Sequence, residues 1–107
     1  MADQDDLTGR VRDLLAGAEE KRMFGGTSFL LDAGIVATVR HDGDLMVRVD
    51  PERGVALATE PGARPAVMGE RPMGPDWVQV SPAAVASSER LGFWLDLALA
   101  RHRARSG

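Results

Sequence analysis

The segment RMFGGTSFLLDAGIVATVRHDGDLMVRVD, residues 22–50, is dense in Val, Ile, Leu, Phe and Thr. It is cut twice by turn-forming residues, Asp32-Ala33-Gly34 and His41-Asp42-Gly43-Asp44. β-Branched and aromatic residues bounded by such clusters predict an antiparallel meander of three strands. A two-residue turn at Asp42-Gly43 sets Arg40 opposite Leu45, Thr38 opposite Val47 and Val36 opposite Val49. A three-residue loop at 32–34 sets Leu31 opposite Ile35 and Phe29 opposite Ala37. Alternation then sorts Ser28, Leu30, Val36, Thr38, Arg40, Leu45, Val47 and Val49 onto one face, and Thr27, Phe29, Leu31, Ile35, Ala37, Val39, Met46 and Arg48 onto the other. Both faces are apolar, yet a two-layer domain covers only one with helices. Self-association through the second face, or through an unpaired edge strand, is the expected consequence.

Upstream of this meander, Leu7, Val11, Leu14, Leu15 and Ala18 recur at helical spacing, with Asp5 or Asp6 placed to cap. Glu19-Glu20-Lys21 reads as a polar connection. Downstream, Asp50-Pro51-Glu52-Arg53 starts a short helix reaching about Thr59, with Asp50 as cap and Pro51 at its first position. Pro61, Gly62, Pro65, Gly69, Pro72, Gly74 and Pro75 break the next stretch into short pieces, with strands expected at 66–68 and 77–80. Ser87 or Ser88 caps a last helix whose face carries Leu91, Trp94, Leu95, Ala98 and His102. The order helix, three strands, helix, two strands, helix predicts an α+β fold: two layers, with helices packed on an antiparallel sheet of about five strands.

The chain has 107 residues, 44% apolar and 27% charged, with a formal net charge of -3. These values fit one soluble domain, 1–107, with flexible ends expected at 1–5 and 103–107. With no cysteine, disulfides, thiolate catalysis and cysteine-based metal sites are excluded. An acidic start and the lack of a long apolar run predict a cytoplasmic protein with no membrane span. The acidic balance argues against a general nucleic-acid binder. The basic end Arg101-His102-Arg103-Ala104-Arg105 is explained by the helix dipole, so direct nucleic-acid binding is not expected.

The run Arg22-Met23-Phe24-Gly25-Gly26, then Leu45-Met46-Val47-Arg48-Val49, Pro61-Gly62-Ala63-Arg64-Pro65, Arg71-Pro72-Met73 and Trp77-Val78, closely resembles the TfoX N-terminal domain family. The resemblance runs from the first helix to Trp94-Leu95. It implies a two-layer α+β fold similar to secretion chaperones. In some bacteria proteins with this domain regulate competence for DNA uptake, generally with a second, C-terminal domain. The sequence ends at Gly107, so a stand-alone N-terminal domain is expected, without a direct role in DNA binding.

Arg22, Arg48 and Arg71 lie in the family-like segments; brought together they would clamp an anion. The competing structural reading pairs them with carboxylates such as Glu19, Asp50 or Glu70. Gly25 and Gly26 precede a strand rather than a helix, so close backbone packing explains them better than a phosphate loop. Met23 and Phe24 read as core. Met68 and Met73 either line an adaptable groove or fill the core. His41 with Asp42 and Asp44 is explained by turn chemistry before metal binding. No catalytic motif is present and no cofactor or metal is expected. The reading is a non-enzymatic interaction or regulatory module, a homodimer with an unknown protein partner, whose binding residues are Arg22, Met23, Gly25, Gly26, Arg48, Arg71 and Met73. The alternative is a small anionic-ligand binder or enzyme built on Arg22, Arg48 and Arg71.

Overall fold

A computed structural model describes residues 3–23 and 25–106. Helix α1 (Asp3–Leu14) leads into a meander of four strands, β1 (Glu19–Met23), β2 (Gly26–Leu31), β3 (Gly34–Arg40) and β4 (Leu45–Arg48). Helix α2 (Pro51–Leu57) follows. Then come β5 (Ala63–Pro65), β6 (Val67–Met68), β7 (Arg71–Pro72) and β8 (Trp77–Val80), a 3-10 turn over Pro82–Val85, and α3 (Ser88–Ser106). Six strands form one antiparallel sheet in the order β1-β2-β3-β4-β8-β5, while β6 and β7 pair only with each other. The fold is α+β with helices on one face of the sheet, as expected, with six strands in place of five.

Local chemistry accounts for the helix ends. The Asp50 side chain accepts from Glu52 N at 2.9 Å with Pro51 opening α2. The Ser87 hydroxyl accepts from Arg90 N at 3.1 Å at the start of α3. Helix α1 begins at Asp3, so Asp5 and Asp6 lie inside it rather than capping it. Leu7, Val11 and Leu15 are buried, whereas Leu14, at the margin of that stripe and at the helix end, is 51% exposed. Of the ends expected to be flexible, 3–5 begin α1 and 103–106 complete α3.

Glu19-Glu20-Lys21, read as a connection, is most of β1. Pairing with β2 overrides its composition, and an edge strand tolerates charge because one side of its ladder stays in solvent. Both turn lengths also differ from expectation. Asp32 and Ala33, at φ 51° and 67°, form a two-residue turn that pairs Leu31 with Gly34 and Leu30 with Ile35. A bulge between Phe29 and Leu30 then restores the expected Phe29–Ala37 pair. The β3–β4 turn has three residues, 41–43, closed by Arg40 N to Asp44 O and Gly43 N to Arg40 O, both 2.9 Å, with Gly43 at φ 94°. Thr38 therefore faces Met46 and Ala37 faces Val47, one residue away from the expected register.

That single residue transposes β4. Leu45, Val47 and Val49 join Phe29, Val36, Ala37, Val39, Val78 and Val80 against Leu7, Val11, Leu91, Trp94, Leu95 and Ala98 of the helices. Met46 and Arg48 turn to the second face, with Ser28, Thr38 and Gln79. This face is not left greasy for a partner. Ala66, Met68 and Met73 pack over Met46 and Trp77, so the chain's own 66–73 segment covers it. Met68 and Met73 thus take the core-filling role.

On the same face the nearly buried Asp44 carboxylate accepts from Gln79 Nε2 at 2.7 Å and from Arg64. Asp44→Ala leaves Gln79 without this acceptor while half-exposed Arg64 turns to water, and should lower unfolding free energy by about 2 kcal/mol in urea denaturation. Ala33→Gly relieves a left-handed alanine and should add about 1 kcal/mol in the same assay.

Candidate functional site

A groove of about 720 Å³ opens where α1 meets the tip of the β1–β2 hairpin and the β3–β4 turn. Its walls include Thr8 and Arg12 of α1, Glu20, Arg22 and Met23 of β1, Gly25, Gly26, Thr27 and His41. The two hairpin ends are joined there by the His41 N–H, which donates to the Gly25 carbonyl at 2.9 Å. Gly26 has no room for a side chain: a Cβ would sit 2.0 Å from the Val39 carbonyl oxygen. Close backbone packing was the expected reason for this glycine, and it is the observed one.

Charge in the groove is unevenly satisfied. Arg12 holds Glu20 through two hydrogen bonds, Nε to Oε2 at 2.6 Å and Nη2 to Oε1 at 2.8 Å. These bonds, followed by the attraction of the guanidinium charge, hold the Glu20 carboxyl below its ordinary value, and raise that of Arg12. Lys21 lies a loose 3.9 Å from Glu19. Arg22 makes no ion pair among the described residues. A cationic surplus is thus held on a chain whose overall charge is negative.

Of the residues expected to bind, Arg22, Met23, Gly25 and Gly26 meet in this groove. Arg48, Arg71 and Met73 do not. The row Arg22–Thr27–Val39–Leu45 points to the helix-covered face, whereas Arg48 sits opposite Trp77 on the other. The three arginines therefore do not form one clamp. Arg48 pairs with Asp76 at 3.3 Å and lies over the Trp77 ring, its carboxylate partner being none of those expected from sequence. Arg71 is exposed on β7, and Met73 packs beside Met46 and Trp77. Phe24, read as core, lies outside the described residues. Asp42 and Asp44 are committed to the turn and to Gln79 and Arg64. Among the described residues no three His, Asp or Glu side chains gather as a metal site, and no helix is long and apolar enough to cross a membrane.

One lining residue escaped the sequence reading: His41, explained there by turn chemistry, lines the groove.

Residues 11–102 match the family model for the TfoX N-terminal domain, most of the chain. The chain belongs to the TfoX N-terminal domain family. No curated protein matches it significantly. The matched span takes in Arg12, Arg22, Met23, Gly25, Gly26 and His41 of the groove, the sheet core and the segment packed over it.

The Glu20 shift has a defined sign. A carboxyl whose folded pKa is depressed contributes stability above its unfolded pKa, and that contribution is lost as pH falls through the folded value. By NMR titration Glu20 should titrate below the reference value of about 4.3, and Arg12→Ala should return it there.

Proposed function

We propose that this TfoX N-terminal domain is a non-catalytic regulatory module that acts as a homodimer, pairing its open β1 edge with that of a second copy. The observation that carries the reading is the position of β1: a five-residue strand at the end of a six-stranded sheet, with its outer backbone groups available. The second sheet face is covered by the chain's own segment 66–73, and of the two edge strands β1 is the longer, five residues against three in β5.

The order Glu19-Glu20-Lys21-Arg22 favours a second copy over an arbitrary strand. A two-fold axis normal to the sheet preserves the faces, so each residue faces itself or one an even number of positions away. With Lys21 on the axis, Glu20 of each copy faces Arg22 of the other on the helix-bearing side. The two lysines meet on the opposite side, each beside its own Glu19. Opposite-charge pairs across strands contribute roughly 0.2–1 kcal/mol each, so the dimer is weak and concentration-dependent. A regulator that assembles only when abundant, or when a partner raises its local concentration, suits that strength.

Light scattering over a wide concentration range should show mass rising from monomer to dimer. Arg22→Glu replaces two attractive pairs by repulsive ones and should weaken association about tenfold, the equivalent of 1.4 kcal/mol. A monomer at every concentration, or a dimer indifferent to this charge reversal, is incompatible with pairing along β1.

A further inference from the structure

The partly buried arginines of this fold have acceptors, with one exception. Arg10 donates to the Ala86 carbonyl at 3.3 Å, Arg40 to the Val67 carbonyl at 2.9 Å, Arg48 to Asp76 at 3.3 Å and Arg90 to Glu60 at 3.2 Å. Arg101 of α3, also partly buried, makes no ion pair among the described residues, and its Nε is buried without a partner. With Nε sealed off, the donors of this guanidinium that can still be satisfied are those of its two terminal nitrogens. Withdrawing a cation from water without a counter-ion costs free energy, and a bound anion offsets that cost.

Helical spacing sets this side chain on a cleft. Leu97, Ala100, Arg101 and Ala104 fall on one stripe of α3, and across a gap of about 110 Å³ they face Arg53 and Leu57 of α2 and its cap Asp50. Alanines at 100 and 104 supply too little side chain to close the gap. Arg53, like Arg101, has no carboxylate within ion-pair distance among the described residues. Asp50 spends Oδ1 on the Glu52 N–H. Two guanidiniums against this one carboxylate leave the cleft with a positive charge in excess, beside the apolar wall that Leu57 and Leu97 make where they pack on the core.

We propose that this cleft binds a small monocarboxylate with a short aliphatic chain, its carboxylate held by Arg53 and Arg101 and its chain lying against Leu57, Leu97 and the two alanines. A cavity of about 150 Å³ holds benzene and a water takes about 30 Å³ of liquid, so 110 Å³ suits a ligand of roughly four to six heavy atoms. A single negative charge neutralises the excess. A phosphate, with about 1.5 to 2 negative charges near neutral pH, oversupplies it and gains nothing from apolar walls. The planar pair of carboxylate oxygens is also what guanidinium N–H groups match best. The cleft includes no residue of β1, so the site does not rest on dimerisation.

The test is an NMR titration of the whole chain with sodium butyrate, set against sodium chloride and inorganic phosphate at matched ionic strength and against n-butanol. Butyrate should move the amide signals of Leu57, Arg101 and Ala104 along a saturating curve, raise the melting temperature, and bind about tenfold more tightly than phosphate or butanol. Arg101→Gln and the exposed Arg53→Gln should each weaken binding about tenfold. Ala104→Leu, at an exposed helical position that tolerates leucine, fills the cleft without changing its charge and should abolish binding. Arg103→Gln removes a charge from the same helix but not from the cleft, and should leave binding intact. A response that never saturates, that chloride reproduces, or that persists undiminished in Ala104→Leu overturns the site. Phosphate binding as tightly as butyrate overturns the carboxylate; butanol binding as tightly, or full binding by both arginine variants, overturns the charged contact.

Discussion

A six-stranded sheet with helices on one side has a second face that must be dried by something, and here the segment 66–73 does it. The segment has little secondary structure of its own beyond the two-residue strands β6 and β7. It is held instead by side chains rising from the sheet. Val67 is fastened at both backbone groups: its carbonyl accepts from Arg40 of β3 and its N–H donates to Gln79 Oε1 of β8 at 3.4 Å. Gln79 is in turn oriented by Asp44, so the latch, the hairpin turn and the sheet are one polar network on an otherwise apolar face. Satisfied groups of this kind impose a unique arrangement where a purely greasy face would slide. Met46 and Ala66 are fully buried as a result.

This arrangement separates what sequence patterns express from what they do not. Helix stripes, the Asp50-Pro51 start, the Ser87 cap and the strand at Trp77–Val80 are local, and they were legible because a few neighbouring residues specify them. The lengths of the two meander turns were not. Asp42-Gly43 fits a two-residue turn as well as the last two residues of a three-residue one, and the choice is made by whether Leu45 or Met46 reaches the main core. Leu45 does, with Val47 and Val49. Period-two alternation makes every such slip total, so a one-residue error moved Met46 and Arg48 to the wrong face. Strand β1 was hidden for a different reason, since its partner, not its composition, makes it a strand.

The candidate site was half visible for the same reasons. Arg22, Met23, Gly25 and Gly26 were marked by family likeness, and they do line the groove. Arg48 was preferred among the arginines because the slipped register set it among apolar neighbours, whereas it is neutralised by Asp76 and stacked on Trp77. Arg40 carries no distinguishing pattern. Its importance is relational, residing in its hold on the Val67 carbonyl, and that is not written in the order of residues along one strand.

The adjacent glycines show how far folding alone explains this corner. Gly26 is fully accounted for by packing, since any side chain would strike the Val39 carbonyl. Gly25 is accounted for by its backbone: its φ of 75° lies in the left-handed region, where a side chain is strained, and in that conformation its carbonyl accepts the His41 N–H and joins the two hairpin ends.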